Sequence, residues 1–372
     1  MNRAVIVNAK RTPIGKIGGI LQEYQPHELA APLLKHLAKG LEEKINDIIL
    51  GNVVGPGGNV ARVSALEADL PLSVPGMTID RQCSAGLEAI RMACYLIQGG
   101  AGNCYIAGGV ESTSTSPFPS RARFAPDKIG DPDMGLAAEN VAEKFCISKE
   151  TQDQYALLSY TRSWESYKNG FFTDEILPVG GHTQDEVFFK ERKMKDLLHR
   201  AKPVFKKNGT VTAANSCGIH DGAAAVLIME ENEAINCGLK PILRFKDSEV
   251  AGIHPNYPGS APIPAIQELL NRNNLTIADI DLIEINEAFA SKIIACSNEL
   301  SIPFDKLNVC GGALSIGHPY GASGSIMITR LFYEVQRRKN LETNYVLAAI
   351  GSGGGIGIAV LFEVVNKFDH TY

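Results

Sequence analysis

The two halves of this chain repeat one another, and that repetition restricts its fold more than any other feature. In the first half, "INDIILGNVVGPG" leads to "IDRQCSAGLEAIRMACYLIQ" and then to "NCYIAGGVES". In the second half, "ADIDLIEINEAFASKIIA" leads to "LSIGHPYGASGSIMITRLFYEVQ" and then to "NYVLAAIGSGGG". The order is the same each time: acidic lead-in, strand, polar turn, helix, strand, glycines. "AVIVNA", "DIILGNVVG", "PGMTID" and "NCYIAGGVE" read as strands, the apolar ones buried on both faces. "PHELAAPLLKHLAKGL" and "SAGLEAIRMACYLIQ" have helical spacing, the second closed by Gly99 and Gly100. Strands alternating with helices predict an α/β fold. Duplication further predicts two matching turns that face each other, with Cys83 in one and His318 in the other.

The middle of the chain, from about Ser112 to Ile219, is richer in charge, proline and aromatics. It reads as an inserted, less regular domain. The expected division is residues 1–112 with 220–241 as an N-terminal half, 113–219 as the insertion, and 242–372 as a C-terminal half. Within the insertion, "SKETQDQYALLSYTRSWESYKNG" predicts an amphipathic helix capped by Ser148, with Gln152 as a capping-box partner. "KERKMKDLLHRAKPVFKKNGT" is a basic segment.

A net charge of −5 excludes general nucleic-acid binding, so an anionic ligand must meet a local basic patch. The N-terminus "MNRAVIVNAKRTPIG" has no apolar signal region, and no stretch approaches 18 uninterrupted apolar residues, so no membrane association is expected. The eight cysteines form no C-x-x-C pair. A zinc or redox-dithiol site is therefore not expected, and a reducing cytoplasmic setting is.

Cys83 sits between a strand and the first turn of a helix. Partial positive charge and free N–H groups there favour a thiolate nucleophile. The competing reading is a buried cysteine acting as a small hydrophobe, which suits Cys94 and Cys104. His318 lies in a glycine-rich turn before Pro319, which forces an extended residue and aims the imidazole. It is a general-base candidate, against the alternative of a surface turn histidine. Asn286 follows a strand end, where an amide can hold a water or a thioester oxygen, or cap the next helix.

"AAIGSGGGIGIAVLFE" packs five glycines into the seven residues from Gly351 to Gly357. A dinucleotide fingerprint fails in both registers, since the sixth position is Ile356 or Ile358, and no Lys-Ser or Lys-Thr follows for a P-loop. Strand, glycine turn and returning strand fit instead. Such a turn bares backbone N–H groups, which suits an oxyanion site, but a plain hairpin looks the same.

Taken together, "RTPIG", "DRQCSAGLEAI", "GGVES", "MGLAAENVAEKFCISKETQDQYALLS", "GTVTAANSCGIHDGAAAVLIME", "PIPAIQELL", "IDLIEINEAFA" and "NVCGGALSIGHPYGASGS" resemble the thiolases, essentially from end to end. The resemblance implies a duplicated five-layered αβαβα fold and an inserted loop domain that binds coenzyme A. It implies acyl-CoA and CoA as substrates with no permanently bound cofactor and no metal. It also implies a homodimer or homotetramer. Cys83 would take the acyl group as a thioester, and His318 would activate it. Asn286 would hold a water in one oxyanion site, and the N–H groups of Cys83 and Gly353 would form the other. Met134, Phe205, Ala213 and Phe289 would contact the pantetheine, with Cys217 beside the coenzyme A path and Lys190 near the nucleotide.

The resemblance breaks at the glycine run. The family usually reads C-x-G-G-G there, and its cysteine moves the α-proton of the acetyl group being joined. Here that position is Gly351, which has no side chain to carry a proton. Cys217, His220 and Cys310 also depart from the usual residues and are the candidate replacements. The alternatives to a working thiolase are an acyl-enzyme transferase or hydrolase without carbon–carbon bond chemistry, and an acyl-CoA-binding paralogue.

Overall fold

A computed structural model of the protein describes residues 2–116, 121–338 and 344–365. Its strands are β1 (Ala4–Arg11), β2 (Gly15–Lys16), β3 (Asp47–Gly51), β4 (Met77–Ile79), β5 (Cys104–Glu111), β6 (His220–Glu230), β7 (Leu243–Gly252), β8 (Leu282–Ile285), β9 (Tyr345–Ser352) and β10 (Ile356–Val364). Its helices are α1 (Pro26–Ala38), α2 (Val60–Glu67), α3 (Ala85–Gln98), α4 (Met134–Lys144), α5 (Lys149–Lys168), α6 (Met194–Arg200), α7 (Glu231–Asn236), α8 (Pro262–Arg272), α9 (Ala290–Leu300), α10 (Ala313–Ile316) and α11 (Tyr320–Arg337).

The strand order is β4-β3-β5-β6-β1-β7-β10-β9-β8, with β2 on β6. Around the β1–β7 junction, where Val5 faces Arg244 and Ile6 faces Leu243, the two halves mirror each other. β3 and β5 are parallel, as are β8 and β9. β6 and β1 then run antiparallel, as do β10 and β7. The repeat read from the letters is thus a repeat of topology.

Three apolar clusters separate five layers. Leu29, Leu33 and Leu34 of α1 and Val60 and Ala65 of α2 pack on Ile48, Leu50 and Ile106 of the first half-sheet. Ile266 and Leu269 of α8 and Ile293 of α9 pack on Ile283, Leu347 and Leu361 of the second. Between the half-sheets lie Leu87, Ile90 and Ile97 of α3 with Ile328 and Leu331 of α11, against Ile6, Ile49, Val360 and Phe362. Because both faces are covered, every residue of β5 is buried. Each such large side chain contributes about 1.5–3 kcal/mol by leaving water. This is the expected α/β five-layered architecture.

The two central helices touch through glycines. A Cβ at Gly86 of α3 would strike the carbonyl oxygen of Gly321 of α11, and one at Gly324 would strike the backbone of Leu87. Backbones can approach this closely only without side chains. The contact lies in the first turns of both helices, so the turns preceding them are drawn together.

Between β5 and β6, Tyr160 of α5 and Met194 and Leu198 of α6 pack with Phe172, Val187 and Phe188 as a fourth cluster, which also takes in Ile326 of α11, while Val141 and Ala142 of α4 join the cluster of α8 and α9. Ser148 caps α5 as expected, accepting from the N–H of Thr151 at 3.1 Å. Gln152 does not complete a capping box. It is buried and donates to Thr210 Oγ1 at 2.8 Å, holding the segment that follows α6.

Candidate active site

Cys83 follows Gln82, whose φ of 51° is left-handed for a residue with a side chain. The turn is held by Asp80, whose Oδ1 accepts from the Gln82 N–H at 2.7 Å. It lifts Cys83 out of β4 and sets it just before α3. Cys83 is half-buried, and burial pushes its thiol up to about 11, against the opposing pull of Lys292 when that group is protonated. The resting group is a neutral thiol that needs a base.

His318 precedes α11 and is 2 % exposed. Its Nδ1 lies 2.5 Å from Ser323 Oγ, while Nε2 is buried with no partner among the described residues. Burial above all pulls His318 down to about 3, and Lys292 and His220, when protonated, push in the same direction. It is therefore a neutral imidazole at physiological pH, in the state that accepts a proton. The ring of Tyr320 stands edge-on to it with centroids 5.2 Å apart. The Tyr320 hydroxyl is raised by burial and by Cys83, Cys217 and Glu111, in keeping with the Gly86–Gly321 contact that draws the cysteine and histidine turns together.

Asn286 follows β8 and does not cap a helix, since α9 begins at Ala290 with Phe289 as its N-cap. Its Nδ2 is buried and unpartnered among the described residues. A cavity of about 20 Å³ is lined by Asn286, Gly312, Gly317 and Ser323, among others. The glycine run forms the expected strand–turn–strand unit: Ser352 pairs with Ile356, and Gly354 and Gly355 take φ of 82° and 77°. The hydroxyls of Ser352 and Ser84 hydrogen-bond to each other. Each is the chain neighbour of a predicted oxyanion donor, Gly353 and Cys83. Glu111 ties the start of α11, just after His318, to the loop that follows β3, accepting from the N–H of Gly321 at 3.1 Å and of Val54 at 3.0 Å.

The candidate coenzyme A contacts gather at the edge of the insertion. Met134 is the first residue of α4, and the Phe205 ring covers Gly135 and meets Phe289 at a centroid distance of 6.2 Å, near-perpendicular. Ser216 bridges to Phe289, and the Cys217 N–H donates to Ala288 O at 2.9 Å. Ala213 lines a groove of about 690 Å³ with Lys16, Arg192, Arg200, Ser216 and His220. Lys190 lies in an adjoining depression of about 650 Å³, which shares Lys16, Arg192 and Arg200.

Of the three candidate replacements for the base, the structure brings two to the site. His220 packs on Gly317, and its Nδ1 accepts from the His318 N–H at 3.4 Å. Cys217 is raised to about 12 by burial and by Cys83, with Lys292 opposing. Cys310 is elsewhere, in the apolar cluster of the insertion with its Sγ 3.8 Å from Arg337 Nη2. At Gly351 there is no space for a side chain: a Cβ would overlap the Pro258 carbonyl oxygen and sit 2.9 Å from Pro262 Cδ.

Lys292 was not among the residues the sequence suggested. It lies in the first turn of α9, 3 % exposed, and its Nζ donates to Gly351 O at 3.1 Å. A lysine in a helical run normally points to solvent, so the letters give little warning. The available signal was its place in a helix first turn, where a cation opposes the helix dipole. Ser323, Ser84 and Ser352 carry no sequence signal of their own.

The described residues contain no helix long and apolar enough to cross a membrane and no group of three or more His, Cys, Asp or Glu placed to hold a metal ion. The fold and site define an acyltransferase. Family models described as "Thiolase, N-terminal domain" and "Thiolase, C-terminal domain" match residues 4–232 and 239–364, and the chain belongs to the thiolase family. It is 59 % identical over 363 residues to a Bacillus subtilis (strain 168) protein provisionally named acetyl-CoA C-acetyltransferase YhfS, covering 97 % of this chain and 99 % of the relative. It is 48 % identical over 386 residues to VraB of Staphylococcus aureus (strain MW2), which bears the same provisional name, with the same coverage. The crystal structure of the Bacillus anthracis acetyl-CoA acetyltransferase superposes with a TM-score of 0.91 at 36 % identity, over 98 % of this chain and 99 % of that one.

Proposed function

We propose that the protein condenses acetyl-CoA, and cleaves 3-ketoacyl-CoA, through an acyl thioester on Cys83. The observation that carries this reading is that the turns of Cys83 and His318 are drawn together by the Gly86–Gly321 contact, with a neutral thiol in one and, in the other, a neutral imidazole whose Nε2 is unengaged among the described residues. His318 takes the thiol proton as Sγ attacks the acyl-CoA carbonyl. The N–H groups of Cys83 and Gly353, held by the Ser84–Ser352 bond, stabilise the oxyanion. The proton then passes to the departing CoA thiolate.

For the second substrate, Asn286 Nδ2 and a water in the small cavity would form the other oxyanion site, since about 10–15 Å³ admits one water. Met134, Phe205, Ala213 and Phe289 would hold the pantetheine, with Cys217 along its path. Arg192, Arg200 and, from the adjoining face, Lys190 would meet the phosphates. A cytoplasmic place in fatty acid and lipid metabolism, and assembly as a homodimer or homotetramer, rest on the resemblance.

Gly351 favours a second reading, in which the acyl enzyme forms but no carbon–carbon bond is made or broken. The test is thiolysis of acetoacetyl-CoA by free CoA, with Cys83→Ala as control. Turnover lost in the control supports the thiolase reading. Acyl loading of Cys83 without turnover supports the second. No loading at all leaves an acyl-CoA-binding protein.

A further inference from the structure

The missing thiol at Gly351 leaves the second half-reaction without a base, while a buried amine lies against that position. Lys292 reaches it from the first turn of α9, its Cβ and Cγ lying 3.2 Å and 3.6 Å from where a Cβ on Gly259 would be, and its Nζ donating to Gly351 O at 3.1 Å. No carboxylate lies within 4.0 Å of Nζ among the described residues. The groups facing it are thiols and an imidazole: Cys296 on α9, Cys83 before α3, Cys217 before β6, and His318 before α11.

We propose that Lys292 is the acid–base residue of carbon–carbon bond formation and cleavage, replacing from α9 the thiol that β9 lacks. This rests on the thiolase reading of the same site. In condensation, the neutral amine takes a C2 proton from the acetyl-CoA that follows the acylating one. The C2 electron pair attacks the acyl carbon on Cys83, the C–C bond forms, the C–S bond breaks, and Sγ leaves as thiolate. The ammonium returns its proton to Sγ, restoring amine and thiol. In thiolysis the amine takes the Cys83 thiol proton as Sγ attacks C3 of the 3-ketoacyl-CoA, the C2–C3 bond breaks, and the ammonium so formed protonates the C2 carbanion.

Three features favour the amine form in the resting protein. Burial holds the Lys292 ammonium below its usual 10.5, although nearby thiols oppose this. The N-terminal end of α9 disfavours a cation. No carboxylate among the described residues neutralises it. A purely structural lysine would be expected to have an acid partner, because an unpaired buried charge is costly.

The experiment follows two readouts on the full-length wild type, Lys292→Met and Lys292→Arg. One is acyl loading of Cys83 by acetyl-CoA, read by intact mass. The other is exchange of the acetyl C2 protons with deuterated water. The expected result is loading within about tenfold of wild type in both variants, with exchange and acetoacetyl-CoA thiolysis falling by about 10²–10⁴-fold, the usual worth of a general base. In the wild type, exchange should rise with pH through a titration below 10.5 that both variants lose. Arginine keeps the cation and the donor to Gly351 O but cannot act as a base, so exchange retained in Lys292→Arg overturns the proposal. Exchange retained in Lys292→Met overturns it too. Wild type that loads Cys83 but does not exchange overturns it and leaves acyl transfer standing. Wild type that does not load overturns both readings. If either variant fails to fold, the other and the wild-type pH profile still decide.

Discussion

Ser84 and Ser352, 268 residues apart in the chain, hydrogen-bond to each other through fully buried hydroxyls. One follows Cys83 and the other precedes Gly353. The bond joins the start of α3 to the end of β9, and so holds two N–H donors from different halves at one spacing. Ser352→Ala leaves the Ser84 hydroxyl buried without its partner, at a cost of about 1–3 kcal/mol. We expect it to lower the acylation rate about tenfold with little change in KM, below the 10²–10³ lost with an entire donor. The double variant Ser84→Ala, Ser352→Ala should recover stability but not rate. A double-mutant cycle of both quantities checks this, and additive effects would contradict it.

The repeat of strand, turn, helix and strand was legible because burial on both sheet faces writes continuous apolar runs, and because β3, α3 and β5 recur as β8, α11 and β9. Cys83 and His318 stand at equivalent positions in matched turns, each two residues before its helix, which is why the same repeat draws attention to both. Gln152 was misread because the capping pattern is local, whereas its partner Thr210 lies 58 residues on. Lys292 escaped because its role depends on which strand end α9 faces, and helical periodicity does not record that. At Gly351 the letters show the absence of a side chain but not the filled space around it, because Pro258 and Pro262 close over it from a different segment.

Cys83 should show no reactive plateau near neutral pH. With its thiol raised to about 11 by burial, the thiolate fraction rises tenfold per unit up to that value. Iodoacetamide alkylation of Cys83 should climb steadily between about pH 6 and 10. His318 stays neutral over this whole range, being pulled down to about 3 by burial, so no step should appear near 6.5. A plateau beginning at or below pH 7 would mean a thiolate–imidazolium pair. Ser323→Ala, which frees His318 Nδ1, should lower acylation about 3- to 10-fold without moving the alkylation profile.

Coenzyme A should feel Arg192 and Arg200 more than Lys190. Both arginines line the groove that contains Ala213, whereas Lys190 lies in the depression beside it. Arg192→Ala and Arg200→Ala should each raise the KM for CoA about tenfold with kcat nearly unchanged, the pattern of uniform binding lost. Lys190→Ala should change KM less than about threefold, as a screened surface charge would. Steady-state thiolysis with varied CoA separates them.

The insertion is locked to the core by a buried ion network, which makes it sensitive to acid. Arg11 of β1 meets Asp185 in two contacts of 2.6 and 2.9 Å and Glu175 at 2.7 Å, and Arg330 of α11 meets Glu175 at 3.0 Å. Burial opposes ionisation of Glu175, but Arg330 and Arg11 outweigh it and hold the carboxyl below 4.5. A lowered folded-state value contributes stability above the unfolded value and loses it as pH falls through the folded one. Glu175→Gln should therefore cost about 3–5 kcal/mol at pH 7, by leaving two guanidinium groups short of charge. It should also flatten the decline of stability below about pH 4.5. Urea unfolding across pH 3–7 measures both.

A cysteine introduced at Gly351 should fail as a simple gain of a base. In β9 the direction that a side chain at 351 would take is occupied by the Pro258 carbonyl and the Pro262 ring, and neither is the far end of a flexible side chain. Proline backbone yields little, so Gly351→Cys must displace the 258–262 segment or bend β9. Overpacking of this kind costs about 1–3 kcal/mol. The displacement also reaches Gly351 O, and with it the hydrogen bond that orients Lys292. We expect Gly351→Cys and Gly351→Ala to be destabilised alike and both to lose α-proton exchange. Exchange gained by the cysteine variant alone would instead show that the segment yields and that a thiol at this position can take up the proton.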